Sequence, residues 1–316
     1  MEWLFAGLGL LILLLAGDAL VRGAVNLALR LGIPALIVSL TIVAFGTSAP
    51  ELLISVQAVL KDVPGIAIGN VVGSNTANIL LVLGFPAILA VLHTSACETR
   101  KSYRQMIVAT VIFIALAYRG VFDWISGVIL LSLLFYILSH AVLDAKAHRK
   151  NGCTGIDDEE PEGADPDMPW WKILVFLVLG LIGLPLGADL LIDSAEVLAR
   201  RYGVSESVIG LTLVALGTSL PELATTTMAA LRRQADVAIG NVIGSNMFNL
   251  LAIIGIASLV GPLPVDPKFL EFDLWVMLGS SILLVPFVYF RKDINRVWGV
   301  ALTVLYVSYI LVVLSS

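Results

Sequence analysis

The chain carries two copies of one sequence pattern, separated by a constant offset of 171 residues. GTSAPE at residues 46–51 returns as GTSLPE at 217–222, and GNVVGSNTAN at 69–78 returns as GNVIGSNMFN at 240–249. With that offset and no gaps, 23 positions between residues 40 and 84 are identical to their counterparts. Hydrophobic bias alone does not place the same Gly, Pro, Glu, Ser and Asn in the same order. The chain is therefore predicted to contain two copies of one structural unit.

Apolar residues fill almost the whole chain. Of its 316 residues, 59% are hydrophobic and 14% are charged, and the mean hydropathy is +0.97. Soluble domains are about 45–50% apolar and about 25% charged, so the excess apolar surface must face lipid. Because a spanning helix needs roughly 20 apolar residues, we predict an all-α membrane protein with ten transmembrane helices. The candidate spans lie near residues 3–28, 34–60, 64–92, 105–119, 122–145, 170–199, 205–231, 235–261, 272–291 and 296–314.

Five predicted spans separate each motif from its copy. An odd number of crossings reverses the chain direction, so the two copies are predicted to be inverted about an axis in the membrane plane. The predicted units are a first five-helix repeat at 1–145, a polar linker at 146–169 and a second five-helix repeat at 170–316. Inverted repeats also occur in some channels, so this architecture alone leaves the class of membrane protein open.

Lysine and arginine residues predict the orientation of the chain. If the N-terminus lies outside, the inside loops hold 13 of these residues and the outside loops hold 5. This bias predicts a multi-pass protein of the cell membrane with both termini outside and a cytoplasmic linker. The acidic run of the linker at 157–160 is interpreted as solvated rather than as a regulatory calcium site. Cys97 and Cys153 have no His or Cys at metal-binding spacing and are interpreted as free thiols.

The GTSAPE motif is predicted to break the helix that contains it. Pro50 has no N–H to donate, and its ring crowds the carbonyl of Gly46. Freed carbonyls at membrane depth are tolerated only where they are buried or line a wet cavity. Thr47, Ser48 and Glu51 are spaced to converge on one side of a helical turn, so hydroxyl, carboxylate and carbonyl oxygens come together. The copy supplies Thr218, Ser219 and Glu222.

The GNVVGSNTAN motif gathers neutral polar groups. Asn70, Ser74 and Asn78 are spaced four residues apart, so they lie on one face of a helix. The copy repeats that face with Asn241, Ser245 and Asn249. No His or Cys joins either motif. A shell made only of oxygens, two carboxylates among them, suits a hard cation such as calcium or sodium rather than zinc or copper.

Glu51 and Glu222 determine the charge balance of the predicted site. Two carboxylates within hydrocarbon are very costly unless a cation neutralises them. One calcium ion cancels both charges, whereas more than one sodium ion is needed. Mutually exclusive occupancy by the two ions predicts an antiporter, because such a carrier reorients only when its charge is compensated.

Any one of these residues alone also fits a structural role. A single buried Glu can be protonated, and a single Ser or Asn often bonds a neighbouring helix. The symmetric set favours function, because ionisable residues inside a membrane are usually functional. Asp18 and Asp189, which align across the repeat, fit gate contacts and structural bonds equally well. Asp193 and Glu196 are predicted to lie at the membrane interface.

At these residues the sequence resembles the sodium/calcium exchangers of the calcium/cation antiporter superfamily. The stretches around GTSAPE and GTSLPE look like the two alpha repeats of that family, and the resemblance covers essentially the whole chain. It implies ten helices with a short central loop, as in prokaryotic members, together with alternating access and a central cluster of four ion sites. Proton/calcium exchangers look different at the glycine–proline–glutamate turn, which favours sodium as the driving ion.

The resemblance also implies which residues bind the ions. The first repeat would contribute Thr47, Ser48, Glu51, Ser74, Asn78 and the carbonyl of Ala44. The second would contribute Thr218, Ser219, Glu222, Ser245, Asn249 and the carbonyl of Ala215. Some relatives carry Asp where this chain has Asn249. Only two carboxylates are therefore left at the centre, and the sodium count and any potassium co-transport stay open.

The sequence thus predicts a secondary antiporter that exchanges sodium for calcium. A proton-driven calcium antiporter, a gated cation channel and a non-transporting scaffold are the alternatives. No enzymatic activity and no cofactor are expected, since the ions are the cargo. The expected partners are these ions and the lipid bilayer. The sequence has no basic patch interleaved with aromatic residues, so nucleic acid is not an expected partner. A monomer is compatible with the sequence.

Overall fold

The structure, a computed structural model, describes residues 2–94, 99–151, 165–202 and 217–315. Regular structure in these ranges is almost entirely helical. The helices are α1 (Glu2–Leu31), α2 (Ala35–Thr47), α3 (Ala49–Leu60), α4 (Pro64–Leu89), α5 (Arg100–Ala117), α6 (Trp124–Asn151), α7 (Trp170–Arg201), α8 (Leu220–Leu231), α9 (Ala235–Val260), α10 (Phe269–Tyr289) and α11 (Arg296–Ser315). A two-residue strand β1 (Val121–Phe122) pairs antiparallel with β2 (Leu263–Pro264), which the all-α prediction did not include.

The helices confirm a multi-pass membrane protein. Seven helices in the described ranges are long and apolar enough to cross a bilayer, namely α1, α4, α6, α7, α9, α10 and α11. The bent pair of α2 and α3 would add an eighth crossing. Helix α5 is only 18 residues long and includes Arg100, Lys101 and Arg104, which lowers its hydropathy. The predicted span at 205–231 lies partly outside the described residues.

Helices α4 and α9, which carry the two copies of the GN-x-x-GSN motif, form the centre of the protein. In their most apolar 18-residue stretches, 78% and 89% of the residues are buried, against 33% in α1 and in α7. They contact each other, and α2, α3, α5, α8 and α10 pack around them. The polar motifs are therefore held away from lipid, as a polar site at membrane depth requires.

Helices α1 and α7 are the two longest in the described part of the chain, and they pack along each other. Their backbones approach closely at glycines. A Cβ atom added to Gly180 would lie 2.5 Å from the Cβ of Leu20, and one added to Gly187 would lie 2.8 Å from the backbone N of Leu13. Small residues of this kind drive helix association in membranes, where burial from water supplies no force.

The helix break predicted at the GTSAPE motif is present. Helix α2 ends at Thr47, Ser48 leaves the helical conformation with φ −86° and ψ 4°, and α3 starts at Ala49. The two helices are bent by 43°. Pro50 lies in the first turn of α3, where its missing N–H costs no hydrogen bond. In the second copy, Ser219 has nearly the same dihedral angles, −89° and 3°, immediately before α8.

Candidate functional site

The two breaks place one glutamate in the first turn of each following helix. Glu51 in α3 and Glu222 in α8 are 1% and 0% exposed. Glu222 Oε1 accepts hydrogen bonds from Ser48 Oγ at 3.3 Å and Ser245 Oγ at 3.5 Å. The other three carboxylate oxygens of the pair have no hydrogen-bond partner among the described residues. Buried carboxylates with unused oxygens are very costly unless a proton or a cation neutralises them.

Hydroxyl groups form equivalent contacts between the two copies of the pattern, in which each residue is replaced by its counterpart 171 residues away. Thr47 Oγ1 donates to Asn241 Oδ1 at 3.3 Å and lies 3.3 Å from Ser245 Oγ. The equivalent contacts join Thr218 Oγ1 to Asn70 Oδ1 at 3.4 Å and to Ser74 Oγ at 3.5 Å. Each contact therefore links a residue of one copy to a residue of the other, so the two motifs of each copy meet at a common centre.

The two innermost asparagines lie where the central helices depart from α-helical geometry. Asn78 starts a π-helical turn at Asn78–Val82 in α4, and Asn249 belongs to one at Phe248–Ile253 in α9. Both side chains are buried, at 1% and 0% exposure. Such turns inside helices are frequent at functional sites, because they re-aim side chains and free backbone groups.

Hydrogen-bond contacts join Thr47, Ser48, Glu222 and Ser245 in one set, and Ser74 with Thr218 in another. Glu51, Asn78, Ser219 and Asn249 are also buried. The Ala44 carbonyl accepts the Ser48 N–H at 3.1 Å and lies 3.3 Å from Thr47 Oγ1, whose single proton it shares with Asn241 Oδ1. Ser219 is buried, and its hydroxyl has no hydrogen-bond partner within the described ranges. Ala215 lies outside the described residues, as do Cys97, Cys153 and the acidic run at 157–160.

The site relies on neutral oxygens as much as on charge. No group of three or more His, Cys, Asp or Glu residues that could hold a metal ion occurs in the described part of the chain. A cation bound at the two carboxylates would therefore complete its shell with hydroxyl, amide and carbonyl oxygens. Calcium and sodium accept such ligands, whereas zinc and copper prefer nitrogen and sulfur.

Sequence reasoning placed Asn70 and Asn241 on the polar helix face but not among the ligands, and it did not single out Asn75 and Asn246. Asn70 and Asn241 donate to Ser55 Oγ at 3.3 Å and to Thr226 Oγ1 at 3.2 Å, which ties α4 to α3 and α9 to α8. Asn75 and Asn246 are both 1% exposed, and the Asn246 side chain joins α9 to α4 through the Asn75 backbone carbonyl. The sequence could have identified them, because Asn70 and Asn241, Asn75 and Asn246, and Ser55 and Thr226 are each separated by 171 residues.

The two aspartates with open roles differ in the structure. Asp18 in α1 forms ion pairs with Arg232, just after α8, and with Arg22 at 3.0 Å. Its equivalent in α7, Asp189, forms no ion pair within the described ranges. Of the two residues predicted at the interface, Glu196 pairs with Arg200 at 2.5 Å. Asp18 therefore makes a bond between α1 and the end of α8 that Asp189 does not reproduce.

Asp18→Asn is expected to destabilise the protein by about 1–3 kcal/mol, because it leaves the guanidinium of Arg232, only 15% exposed, without its carboxylate. Thermal unfolding in detergent measures this loss. Asp189→Asn is the matched control at the equivalent position and should shift the unfolding temperature much less. Equal shifts for the two variants would show that the ion pair contributes nothing.

A family model matches the chain on both sides of the linker. The model, described as sodium/calcium exchanger protein, aligns with residues 1–143 and 172–315. The chain belongs to the sodium/calcium exchanger family. The unmatched stretch between the two segments corresponds to the polar linker of the sequence, so both halves that contribute to the buried centre are family sequence.

Individual relatives are similar over nearly their full length. The putative antiporter CaxA of Alkalimonas amylolytica is 35% identical over 324 residues, which cover 99% of this chain and 98% of CaxA. The sodium/calcium exchanger MaX1 of Methanosarcina acetivorans is 31% identical over 96% of both chains. The solved structure of the sodium/calcium exchanger from Methanococcus jannaschii matches with a TM-score of 0.80 and 32% identity, covering 98% of each chain.

Proposed function

We propose that this protein exchanges sodium for calcium across the cell membrane by alternating access. The observation that carries the proposal is the pair of buried glutamates, three of whose four carboxylate oxygens lack hydrogen-bond partners among the described residues. One calcium ion or several sodium ions would neutralise this pair, and the two occupancies exclude each other. The relatives named as sodium/calcium exchangers support the choice of these ions.

The proposed ligands are the carboxylates of Glu51 and Glu222 and the neutral oxygens that surround them. The neutral set comprises the side chains of Thr47, Ser48, Ser74, Asn78, Thr218, Ser219, Ser245 and Asn249 and the carbonyls of Ala44 and Ala215. Burial of these side chains and the hydrogen bonds between the two copies support a single shared cluster. The ions are cargo, and the mechanism requires neither a cofactor nor a chemical reaction.

The proposed fold has ten spans arranged as two inverted five-helix repeats, at 1–145 and 170–316. The cross-copy hydrogen bonds support this arrangement, because contacts that obey one sequence offset are expected when two copies face each other across an axis. The proposed orientation puts both termini outside, on the basis of the lysine and arginine bias.

The experiment that tests the function is calcium uptake into proteoliposomes driven in turn by sodium, potassium and proton gradients. We expect uptake against a calcium gradient only with an opposing sodium gradient. Uptake driven by protons alone would favour a proton-driven antiporter. Calcium flux that needs no counter-ion would identify a channel, and no flux at all would leave a scaffold.

Asn249→Asp is expected to make transport depend on pH or on additional cations. Asn249 is fully buried, and in the proposed cluster the substitution would add a third carboxylate to those of Glu51 and Glu222. Like charges in a poorly solvated site are relieved by a proton or by another cation. Calcium flux should approach that of the wild type at low pH, where the new group is neutral, and diverge from it as pH rises from about 6 to 8. A folded variant with unchanged pH and cation dependence would remove Asn249 from the proposed site.

A further inference from the structure

Asn78, a proposed ion ligand, is held by a residue of the other repeat. Its amide nitrogen Nδ2 donates to Asn246 Oδ1 at 3.0 Å. Asn246 in turn donates its own Nδ2 to the backbone carbonyl of Asn75 at 3.3 Å, which fixes the plane of its amide. Both side chains of the pair are 1% exposed. The amide of Asn78 is therefore locked by a chain of two hydrogen bonds.

This lock decides which end of the amide a cation meets. An asparagine side chain carries an oxygen that attracts cations and an NH₂ group that repels them. With Nδ2 engaged, only Oδ1 of Asn78 is free, and it has no hydrogen-bond partner among the described residues. A free amide could turn either end to the ion, whereas the locked one presents oxygen. Partners that orient ligands in this way commonly affect metal affinity by about 10–100-fold.

The equivalent lock in the other copy is open. By the 171-residue offset, Asn249 corresponds to Asn78 and Asn75 corresponds to Asn246. Neither amide atom of Asn249 has a hydrogen-bond partner in the described part of the chain, and neither does Asn75 Oδ1. Asn75 Nδ2 instead donates to Met277 Sδ at 3.7 Å, a weak acceptor. The Asn249 Nδ2 donor and the Asn75 Oδ1 acceptor that would form the second lock are both buried and have no partner among the described residues.

We propose that Asn246 and Asn75 are positioning residues that orient the amide oxygens of Asn78 and Asn249 towards the cation in alternation. The Asn246–Asn78 lock is closed in the state described here. In the oppositely facing state the two copies exchange roles, so the Asn75–Asn249 lock closes and the Asn246–Asn78 lock opens. The inference rests on the proposed exchange of sodium for calcium. It adds that two hydrogen bonds change the orientation of the amide ligands, and so the affinity for calcium, as the carrier reorients.

The test is the calcium KM on each face of the membrane, measured in right-side-out and inside-out vesicles. Asn246→Leu should raise KM by roughly ten-fold or more on one face, and Asn75→Leu should do so on the opposite face. Asn26→Leu is the control, since Asn26 is an equally buried asparagine of α1 that donates to the Arg22 carbonyl and accepts from the Asp165 N–H, neither of which belongs to the proposed site. Its KM should match that of the wild type on both faces.

The same series separates the two proposals. Wild-type vesicles without sodium-dependent calcium flux would refute the proposed function. Normal wild-type exchange, with KM unchanged or raised equally on both faces in the two leucine variants, would overturn the alternating locks. If Asn246→Leu fails to fold, Asn246→Ala provides the same comparison with a smaller side chain.

A second variant tests orientation directly. Asn78→Asp replaces the amide by a carboxylate, both ends of which are oxygen, so its orientation no longer matters. Adding Asn246→Leu to the wild type should raise the calcium KM roughly ten-fold. Adding it to Asn78→Asp should leave the calcium KM nearly unchanged. An equal effect in both backgrounds would mean that Asn246 acts by general packing, and the proposal would be wrong.

Discussion

Glu51→Gln and Glu222→Gln are each expected to reduce calcium exchange to the level of protein-free vesicles, while the protein stays folded. Each substitution removes a negative charge that the doubly charged ion needs and leaves the shape of the side chain nearly unchanged. Both glutamates are buried, and a glutamine keeps only one neutral oxygen in place of a charged carboxylate. Sodium-driven uptake into proteoliposomes measures the loss, and near-normal flux in either variant would refute the two-carboxylate site.

Thermal unfolding of the same variants distinguishes a loss of function from a loss of fold. In buffer free of calcium and sodium, Glu51→Gln should unfold at a higher temperature than the wild type, because neither carboxylate oxygen of Glu51 has a partner among the described residues. Glu222→Gln should gain less, since Ser48 and Ser245 already donate to Glu222. Glu196→Gln is the control, with a partly exposed carboxylate paired to Arg200, and should retain transport.

Gly244→Leu is expected to have the second largest effect, on both folding and transport. Gly244 in α9 faces α2 so closely that even a Cβ would lie 2.6 Å from the Leu40 carbonyl oxygen and 2.6 Å from the Ala44 Cβ. A leucine must push the two helices apart, at a cost of about 1–3 kcal/mol or more. The displaced segment of α2 includes the Ala44 carbonyl and leads directly into the break before Glu51.

Melting temperature in detergent and calcium flux together check this prediction. Gly279→Leu is the control, because Gly279 is an exposed glycine of α10 with no atom within 4 Å of an added Cβ. It should change neither quantity much. A Gly244→Leu protein with wild-type stability and flux would show that α2 and α9 do not need their close contact.

The sequence predicted the break and the meeting of the motifs because both follow from local chemistry and duplication. Pro50 removes a donor wherever the rest of the chain lies, so a break or kink within GTSAPE could be predicted, and the structure places it at Ser48. The convergence of Thr47 with Asn241 could be expected because the same motif pair occurs twice, and an inverted copy returns to the same depth.

The π-helical turns and the cross-copy locks could not be predicted from the sequence. A π-helical turn fits one extra residue into a helix, and packing against neighbouring helices decides where that happens. The bond from Asn78 to Asn246 depends on the relative height and rotation of α4 and α9, which no local pattern specifies. For the same reason Asp18 could be identified as a candidate, but its pairing with Arg232 could not.

Competition between the two ions for one site is the central claim, and equilibrium calcium binding to the purified protein tests it most directly. Calcium affinity is measured at a series of sodium concentrations, with the total ionic strength kept constant by a bulky organic cation. We expect the apparent calcium Kd to rise more steeply than in proportion to sodium, because more than one sodium ion must displace one calcium ion. Glu222→Gln should abolish the binding. A calcium Kd that does not change with sodium would show that the ions occupy independent sites and would contradict exchange through shared carboxylates.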